Sequence, residues 1–299
     1  MVLISSKIVL RNGLSMPSVG LGTWQQRDPE VIDRVVRQAL EMGYRLIDTA
    51  SAYRNEKSIG ETLSNILLSP GGSLKREDIW ITSKLAPKQQ GYEPAMSAVL
   101  QSLKDLRTDY IDLYLIHWPG VSGKVPESPE HKSYRKESWK ALEALYKQGK
   151  IRAIGVSNYT QRHLEEMHEY AEIYPMVNQC ELHPLCPQPE LLQYCSGNGV
   201  AFTAYASLGE GVIISDQSML SELHEIQAKR TDLSSAQILL MWGLQHGASV
   251  IPKASSMAHL QENISVLQAT PLSDSEMARL DSVSSLRWKH ICWNPDSIE

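Results

Sequence analysis

Short aliphatic or β-branched runs alternate with longer amphipathic ones from about residue 17 to residue 267. That alternation predicts repeated β/α units feeding a parallel sheet. Eight runs read as strands: SVGLG, RLIDT, IWITSK, YIDLYLIH, IRAIGVS, MVNQC, VAFTAYA and ASVIPK. Between them lie helix-like stretches such as PEVIDRVVRQALEMG, EKSIGETLSNILL, EPAMSAVLQSLKDL, RKESWKALEALYKQG and TQRHLEEMHEYAE. In the first of these, Val31, Val35, Val36, Ala39 and Leu40 recur at helical spacing, and Gly43 follows as a stop signal. Gly149 closes the helix of Trp139, Leu142 and Leu145 in the same way.

Segments outside this rhythm have their own signatures. Asn12-Gly13 between KIVL and GLSM marks a tight hairpin turn, so residues 1–16 read as a hairpin able to plug the bottom of a barrel. Residues 119–137, rich in proline, glycine and charge, read as a loop over the site, with HKSYRKE at 131–137 as its solvated approach to a helix. A further interruption, GEGVIISDQSML, follows the seventh strand. The tail, 286–299, carries Trp288, His290 and Trp293 outside any repeat; it either covers a pocket or packs on the outside. With no linker in view, residues 1–299 read as one domain.

A chain of 299 residues, 42% hydrophobic, can bury one large core or two ordinary ones, so the repeat pattern decides. Lys plus Arg total 29 against 34 Asp plus Glu, a formal net charge of -5, which argues against nucleic acid as a partner yet leaves room for a local phosphate site. Cys180, Cys186, Cys195 and Cys292 have neither CxxC spacing nor the density of a stapled domain, and read as free thiols in a reducing compartment. The spacing of His183 with Cys180 and Cys186 matches no closed metal site, so no metal is expected. Without a signal-like start or an apolar run of about 18 residues, the expectation is a soluble cytoplasmic protein with no membrane partner.

Candidate chemistry lies at the ends of three successive strands. Asp48 and Tyr53 follow RLID, Lys84 ends IWITSK, and His117 ends YIDLYLIH. In a parallel β/α barrel, strand C-termini are where active sites are built. Taken singly, each residue has an ordinary role in capping, packing or surface charge. Together they make a proton donor. A tyrosine hydroxyl, with a pKa of about 10, is too weak an acid near neutrality, and an adjacent ammonium is expected to lower it. Lys84 would tune Tyr53, Asp48 would orient Lys84, and His117 would donate to a substrate oxygen or help to shuttle the proton. A carbonyl oxygen becoming an alkoxide suits that donor.

GYRLIDTASAYRNEKSIG at 43–60, ITSK, LYLIHWP, KIRAIGVSNY at 150–159 and IPKASSMAHLQENI at 251–264 together resemble the aldo-keto reductase superfamily, in order and over essentially the whole chain. The short tail resembles the compact microbial and prostaglandin F synthase-like branch more than the longer-tailed mammalian aldose reductases. The resemblance implies an eight-stranded parallel (β/α)8 TIM barrel with an N-terminal hairpin cap and long loops at the C-terminal face. It also implies a nicotinamide cofactor bound without a Rossmann domain, an aldehyde or ketone substrate, and a monomer. Tyr53 would be the proton donor, Lys84 and Asp48 its tuning pair, and His117 the carbonyl-orienting group.

For the cofactor, the resemblance implies that Ser157, Asn158 and Gln179 hold the carboxamide and Tyr205 stacks on the ring, beside Asp48 and the Gly22, Thr23 and Trp24 turn. Amides, a hydroxyl and an aromatic face suit a flat carboxamide-bearing ring, although Ser157 and Asn158 equally suit a helix cap. Ala206, Ser207, Leu208 and Gly209 fall at the pyrophosphate, and Glu262 and Asn263 at the adenine. Lys253, Ala254, Ser255 and His259 fall at the phosphate that marks NADPH. There the usual hydroxyl and arginine are replaced by Ala254 and His259, so NADPH is favoured and NADH becomes plausible. Trp24, Trp118, Trp288 and Trp293 would line the substrate pocket with Tyr53 and His117. Two other readings remain at this point: a cofactor-sensing regulatory subunit, and an aldolase or isomerase using Lys84 as a Schiff-base nucleophile.

Overall fold

Each predicted strand forms, but several are shorter than their apolar runs because the barrel wall uses only the part that pairs. The structure is a computed structural model in which residues 4–216 and 220–299 are described. Residues 1–3 of the expected hairpin and 217–219 of the expected interruption lie outside the described residues. The eight wall strands are β3 Leu21–Gly22, β4 Leu46–Asp48, β5 Trp80–Leu85, β6 Leu113–Ile116, β7 Ile154–Ser157, β8 Val177–Glu181, β9 Ala201–Tyr205 and β10 Ser249–Val250. They run parallel, each paired with its neighbour in chain order. Isolated parallel bridges, Val19 to Val250 and Gly22 to Lys253, join the last strand to the first and close the curl. Gly20 N donates to Val250 O at 2.9 Å and Gly22 N to Pro252 O at 3.1 Å across this seam.

Twelve helices follow among the described residues: α1 Pro29–Glu41, α2 Glu56–Leu67, α3 Tyr92–Asp105, α4 Glu130–Lys147, α5 Gln161–Met167, α6 Pro189–Gly197, α7 Val212–Ser215, α8 Ser221–Lys229, α9 Ser235–Gln245, α10 Met257–Ile264, α11 Asp274–Asp281 and α12 Ser284–Arg287. Asp28 caps α1, accepting from Glu30 N and Val31 N, and the buried stripe is Ile32, Val35, Val36, Ala39 and Leu40, with Ile32 in place of the predicted Val31. On β5 the period-two alternation sorts polar groups. Trp80 Nε1 donates to Thr82 Oγ1 on one face, whereas Ser83 Oγ on the other donates to Glu56 of α2 at 2.6 Å. Lys84 thereby shares the face of Trp80 and Thr82, inside the barrel.

The hairpin pairs β1 Lys7–Val9 antiparallel with β2 Ser15–Pro17, and Gly13 supplies the positive φ of 83° that the turn needs. Asn12 Nδ2 donates to Arg152 O at 3.0 Å and Arg11 to Gly199 O at 3.3 Å, backbone that precedes β7 and β9. These contacts set the hairpin across the end of the barrel opposite the strand C-termini.

Two expectations change. The polar segment 131–137 is the first part of α4, not a solvated loop, and the loop before it is correspondingly shorter. His131 and Arg135 are buried there because each is fully engaged. His131 accepts from Val121 N at 3.0 Å and meets Val125 O at 2.9 Å, and Arg135 binds Glu166 at 2.7 Å and Pro119 O at 3.1 Å. Charge alone predicts solvent, but partners reverse it. The fifth predicted helix is also short, since α5 ends at Met167 rather than running to residue 172.

The closing seam carries a direct test. A Cβ on Gly22 would lie 2.4 Å from the backbone oxygen of Ile251, with no flexible side chain to yield. Gly22→Ala should therefore lower unfolding stability by about 2 kcal/mol. Guanidinium denaturation checks this, and an unchanged midpoint would mean that the seam opens freely.

Candidate active site

Asp48 is the last residue of β4, and its neighbour turn, a 3-10 helix at Ser51–Tyr53, delivers Tyr53 to the same mouth. Lys84 Nζ lies 2.5 Å from Asp48 Oδ1, 2.9 Å from Thr49 O and 3.4 Å from the Tyr53 hydroxyl. The Lys84 ammonium is fully buried, so all three of its donors are spent inside the protein. Asp48 Oδ2 accepts from Gln179 Nε2 at 2.8 Å. Since β8 stands four places from β4 in the barrel order, that bond spans the lumen. His117, the residue after β6, sits edge-on to Tyr53 with ring centroids 5.5 Å apart. The four sequence-predicted groups thus converge.

Their electrostatics differ from the simple expectation in one respect. Burial raises the Tyr53 pKa above its ordinary value, and the opposing pull of the Lys84 charge does not fully offset this. The expected net lowering of the phenol is therefore not found; Lys84 limits a rise. Burial likewise disfavours the Lys84 ammonium, but the Asp48 carboxylate outweighs it and the lysine pKa goes up. His117 is pushed down to about 3 by burial and then by the Lys84 charge. Its Nδ1 is buried without a partner among the described residues. The mouth holds a protonated phenol, an ammonium and a neutral imidazole.

The positions expected at a cofactor cluster beside this group. Asn158, at a left-handed φ of 63°, donates from Nδ2 to His117 O at 2.9 Å and to Ser157 Oγ at 3.1 Å, while the Tyr205 hydroxyl donates to Asn158 Oδ1 at 2.7 Å. Ser157 Oγ donates to Gln179 O at 2.7 Å. The helix-cap reading of Ser157 and Asn158 is replaced: Thr160 caps α5 through its own side chain. Thr23 Oγ1 donates to Asp48 O at 2.8 Å, and Trp24 packs on Tyr53 with centroids 4.8 Å apart. After β9 come Ala206, Ser207, Leu208 and Gly209, with Ala206 and Gly209 at positive φ. Along the closing seam, Lys253, Ser255 and His259 are exposed while Ala254 is buried, and Lys253 Nζ donates to Gln25 at 3.3 Å. Ser256 caps α10 by accepting from His259 N, and Asn263 is buried on that helix behind Glu262.

Of the four tryptophans, Trp118 and Trp293 meet edge to face at 6.2 Å and Trp24 meets Tyr53, but Trp288 packs on His290 instead. Among the described residues it has no ring contact with the other three. An open cleft of about 400 Å³ lies elsewhere, between Leu100, Lys104, Arg107, Asp109 and Lys150 near the strand N-termini. That end of a barrel serves stability, and the catalytic face is the other one.

Several site residues were invisible to sequence reading. Asn55, buried, bonds Thr49 Oγ1 at 2.6 Å, Thr23 O at 3.0 Å and Gln26 O at 2.9 Å, tying the β3 and β4 turns together. Gln90 Nε2 holds Trp118 O at 2.8 Å and Gly120 O at 2.9 Å. Glu181 accepts from His183 at 2.8 Å, His290 at 2.8 Å and Ile291 N at 2.7 Å, anchoring the tail on β8. Burial raises the Glu181 pKa, yet these donors outweigh it and hold the group at about 2. Its period-two spacing from Gln179 was the signal that both face the lumen side.

A closed eight-stranded β/α barrel with a lysine-tuned phenol and a neutral imidazole at its mouth defines a class of barrel enzyme that moves protons at a polar oxygen. The family model described as "Aldo/keto reductase family" matches residues 18–285, and the chain belongs to that family. It is an oxidoreductase acting on carbonyl groups. The chain is 39% identical to a glyoxal reductase of Bacillus subtilis (strain 168), over 99% of this chain and 98% of that one. It is 39% identical to a 9,11-endoperoxide prostaglandin H2 reductase of Trypanosoma cruzi, over 97% and 95%. Among solved structures, the aldose reductase from Schistosoma japonicum is 36% identical, with a TM-score of 0.81 over 94% of this chain and 92% of that one.

The depressed imidazoles set an acid limit. His163, which meets Ile298 O at 2.9 Å, is also held at about 3, by burial first and then by Arg135. His117 and His163 are neutral when folded, whereas the unfolded chain takes up protons below about pH 6.5. Their stabilising contribution is complete above about 6.5 and is lost as pH falls toward about 3. The thermal midpoint should drop steadily from pH 7 to pH 4, and His163→Asn should flatten that slope; an equal slope in the variant would place the proton uptake elsewhere.

Proposed function

We propose that this protein reduces an aldehyde or ketone to the alcohol, with a reduced nicotinamide cofactor as hydride source and Tyr53 as proton donor. The observation that carries this reading is the Lys84 ammonium held between Asp48 at 2.5 Å and the Tyr53 hydroxyl at 3.4 Å. When bound, the cofactor supplies the hydride. Tyr53, held protonated by burial, hands its proton to the developing alkoxide, and Lys84 stabilises the phenolate that is left. His117, neutral, acts as a hydrogen-bonding group toward the substrate oxygen and does not carry the proton charge. Its partnerless buried nitrogen marks unfilled hydrogen-bonding capacity in this mouth.

The donor set fits a nicotinamide. Ser157, Asn158 and Gln179 stand on adjacent strand ends beside the Tyr205 ring, and a carboxamide needs one acceptor and one donor of that kind. Gly22, Thr23 and Trp24 flank it, Ala206, Ser207, Leu208 and Gly209 offer backbone for the pyrophosphate, and Glu262 and Asn263 fall at the adenine. Lys253, Ser255 and His259 offer a cation, a hydroxyl and an imidazole to a 2′-phosphate, with Ala254 contributing none. NADPH is favoured and NADH is accepted. Trp24, Trp118 and Trp293 form the aromatic rim, whereas Trp288 is turned to His290. The glyoxal reductase relative favours small reactive aldehydes as the first substrates to try. A Schiff base at Lys84 is disfavoured, because its amine is buried, charged and fully hydrogen-bonded. We further propose a cytoplasmic location, which suits four free cysteines, and a monomer, which rests on the family resemblance alone.

Two measurements test the reading. Oxidation of NADPH with glyoxal and a panel of aldehydes should be readily followed by absorbance, and Tyr53→Phe should cut kcat/KM by about 100- to 10,000-fold while cofactor affinity holds. Wild-type rates in Tyr53→Phe would sink the assignment. His259→Arg should tighten NADPH about tenfold through a charge-assisted phosphate bond and leave NADH unchanged. Equal shifts for both cofactors would remove His259 from the phosphate site.

A further inference from the structure

At the end of β8, on the side facing the tail, three unlike donors meet. His290 Nδ1 lies 2.8 Å from Glu181 Oε2 and 3.4 Å from Cys186 Sγ. One donor atom from each residue lies within 4.8 Å of both others. Glu181 and Cys186 are buried, whereas the His290 side chain keeps 13% of its surface exposed, which leaves an approach. The carboxylate is also held by groups outside the trio: His183 at 2.8 Å and Ile291 N at 2.7 Å fix Oε1. Carboxylates that bind metals are oriented by just such outer partners.

Sulfur, imidazole nitrogen and carboxylate oxygen are a mixed donor set. Calcium and magnesium take oxygen alone, whereas zinc and its borderline-soft neighbours take S, N and O together. Metal–ligand lengths of about 2.0–2.3 Å in a tetrahedron put donors about 3.3–3.7 Å apart. The Cys186–His290 separation of 3.4 Å already matches. Glu181 and His290 would part by under about 1 Å, trading their hydrogen bond for two metal bonds, and Glu181 and Cys186, within 4.8 Å of each other, would draw into the same range.

We infer that Glu181, Cys186 and His290 form a binding site for a zinc-class divalent cation, with a fourth position open to water. On binding, the Cys186 thiol releases its proton to solvent as the S–metal bond forms, and His290 shifts its remaining proton to Nε2 to free the Nδ1 lone pair. No electron is exchanged. The ion would staple the tail at residue 290 to the end of β8, replacing hydrogen bonds that already hold the two together. The ligands are separated by up to 109 residues in the chain, which is why cysteine and histidine spacing gave no sign of a site.

The test uses the full chain and metal alone. Equilibrium dialysis against zinc followed by elemental analysis should find one equivalent per chain that a chelator removes. Cobalt substitution should give a thiolate-to-cobalt charge-transfer band and a four-coordinate visible spectrum. Cys186→Ser should abolish the charge-transfer band and, with His290→Ala, weaken zinc more than about tenfold, the loss that even outer partners of a metal site produce. Cys292→Ser is the control: its thiol is directed to Glu210 at 3.7 Å, so its affinity should match wild type. Absence of stoichiometric zinc, a cobalt spectrum without the thiolate band, or equal affinity in Cys186→Ser overturns the site. The wild-type cobalt spectrum decides even if a variant fails to fold.

Discussion

A lysine ammonium with no access to water must be paired where it stands, and the mouth of this barrel is arranged around that requirement. Lys84 is fully buried, and its three donors go to Asp48, the Thr49 carbonyl and the Tyr53 hydroxyl. Removing one partner of such a buried pair costs about 3–5 kcal/mol, because the other charge is stranded. Asp48 in turn spends its second oxygen on Gln179, which arrives from the far side of the lumen. Strands β4, β5 and β8 are therefore locked in register by one charged network. A slip of one residue on β5 would turn Lys84 outward toward α2.

The same burial sets the chemistry. In water, a neighbouring ammonium would make tyrosine a stronger acid; inside the barrel, desolvation of the phenolate is the larger effect and Tyr53 stays protonated. In the proposed reaction, Lys84 matters most after proton transfer, when the phenolate has formed and needs a cation beside it. His117 obeys the same balance with the opposite result, since burial and Lys84 both disfavour its charged form. One lysine thus stands beside two neighbours in different states: a phenol that keeps its proton and an imidazole that stays neutral.

Local patterns carried most of the architecture and little of the network. The strands were legible because β-branched runs and their glycine or charged boundaries are local, and the quartet because strand ends can be counted. Arg135 and His131 were misplaced in solvent because the groups that satisfy them, Pro119 O, Glu166, Val121 N and Val125 O, are set by tertiary folding. The direction of the Tyr53 shift needed the depth of burial, which residue identity does not give. Glu181 was missed for the same reason. It reads as one more polar residue in VNQCE, and three of its four donors come from the returning tail, with His183 the fourth.

The tail shows how a fixed barrel can carry an adjustable rim. Its start is held at Glu181 through His290, Ile291 and Cys292. Its end is held by Arg135 on Glu299 O at 2.6 Å and by His163 on Ile298 O at 2.9 Å. Arg135 also grips Pro119 O, so the loop before α4 and the end of the tail share one buried guanidinium. Between these anchors, Trp293 is 82% exposed and touches Trp118 of the loop edge to face. A segment tied at both ends and free in the middle can change what the mouth accepts without disturbing Asp48, Tyr53, Lys84 or His117. On the proposed function, selectivity would rest on loop and tail and proton transfer on the strands, so that the two are separated in the fold.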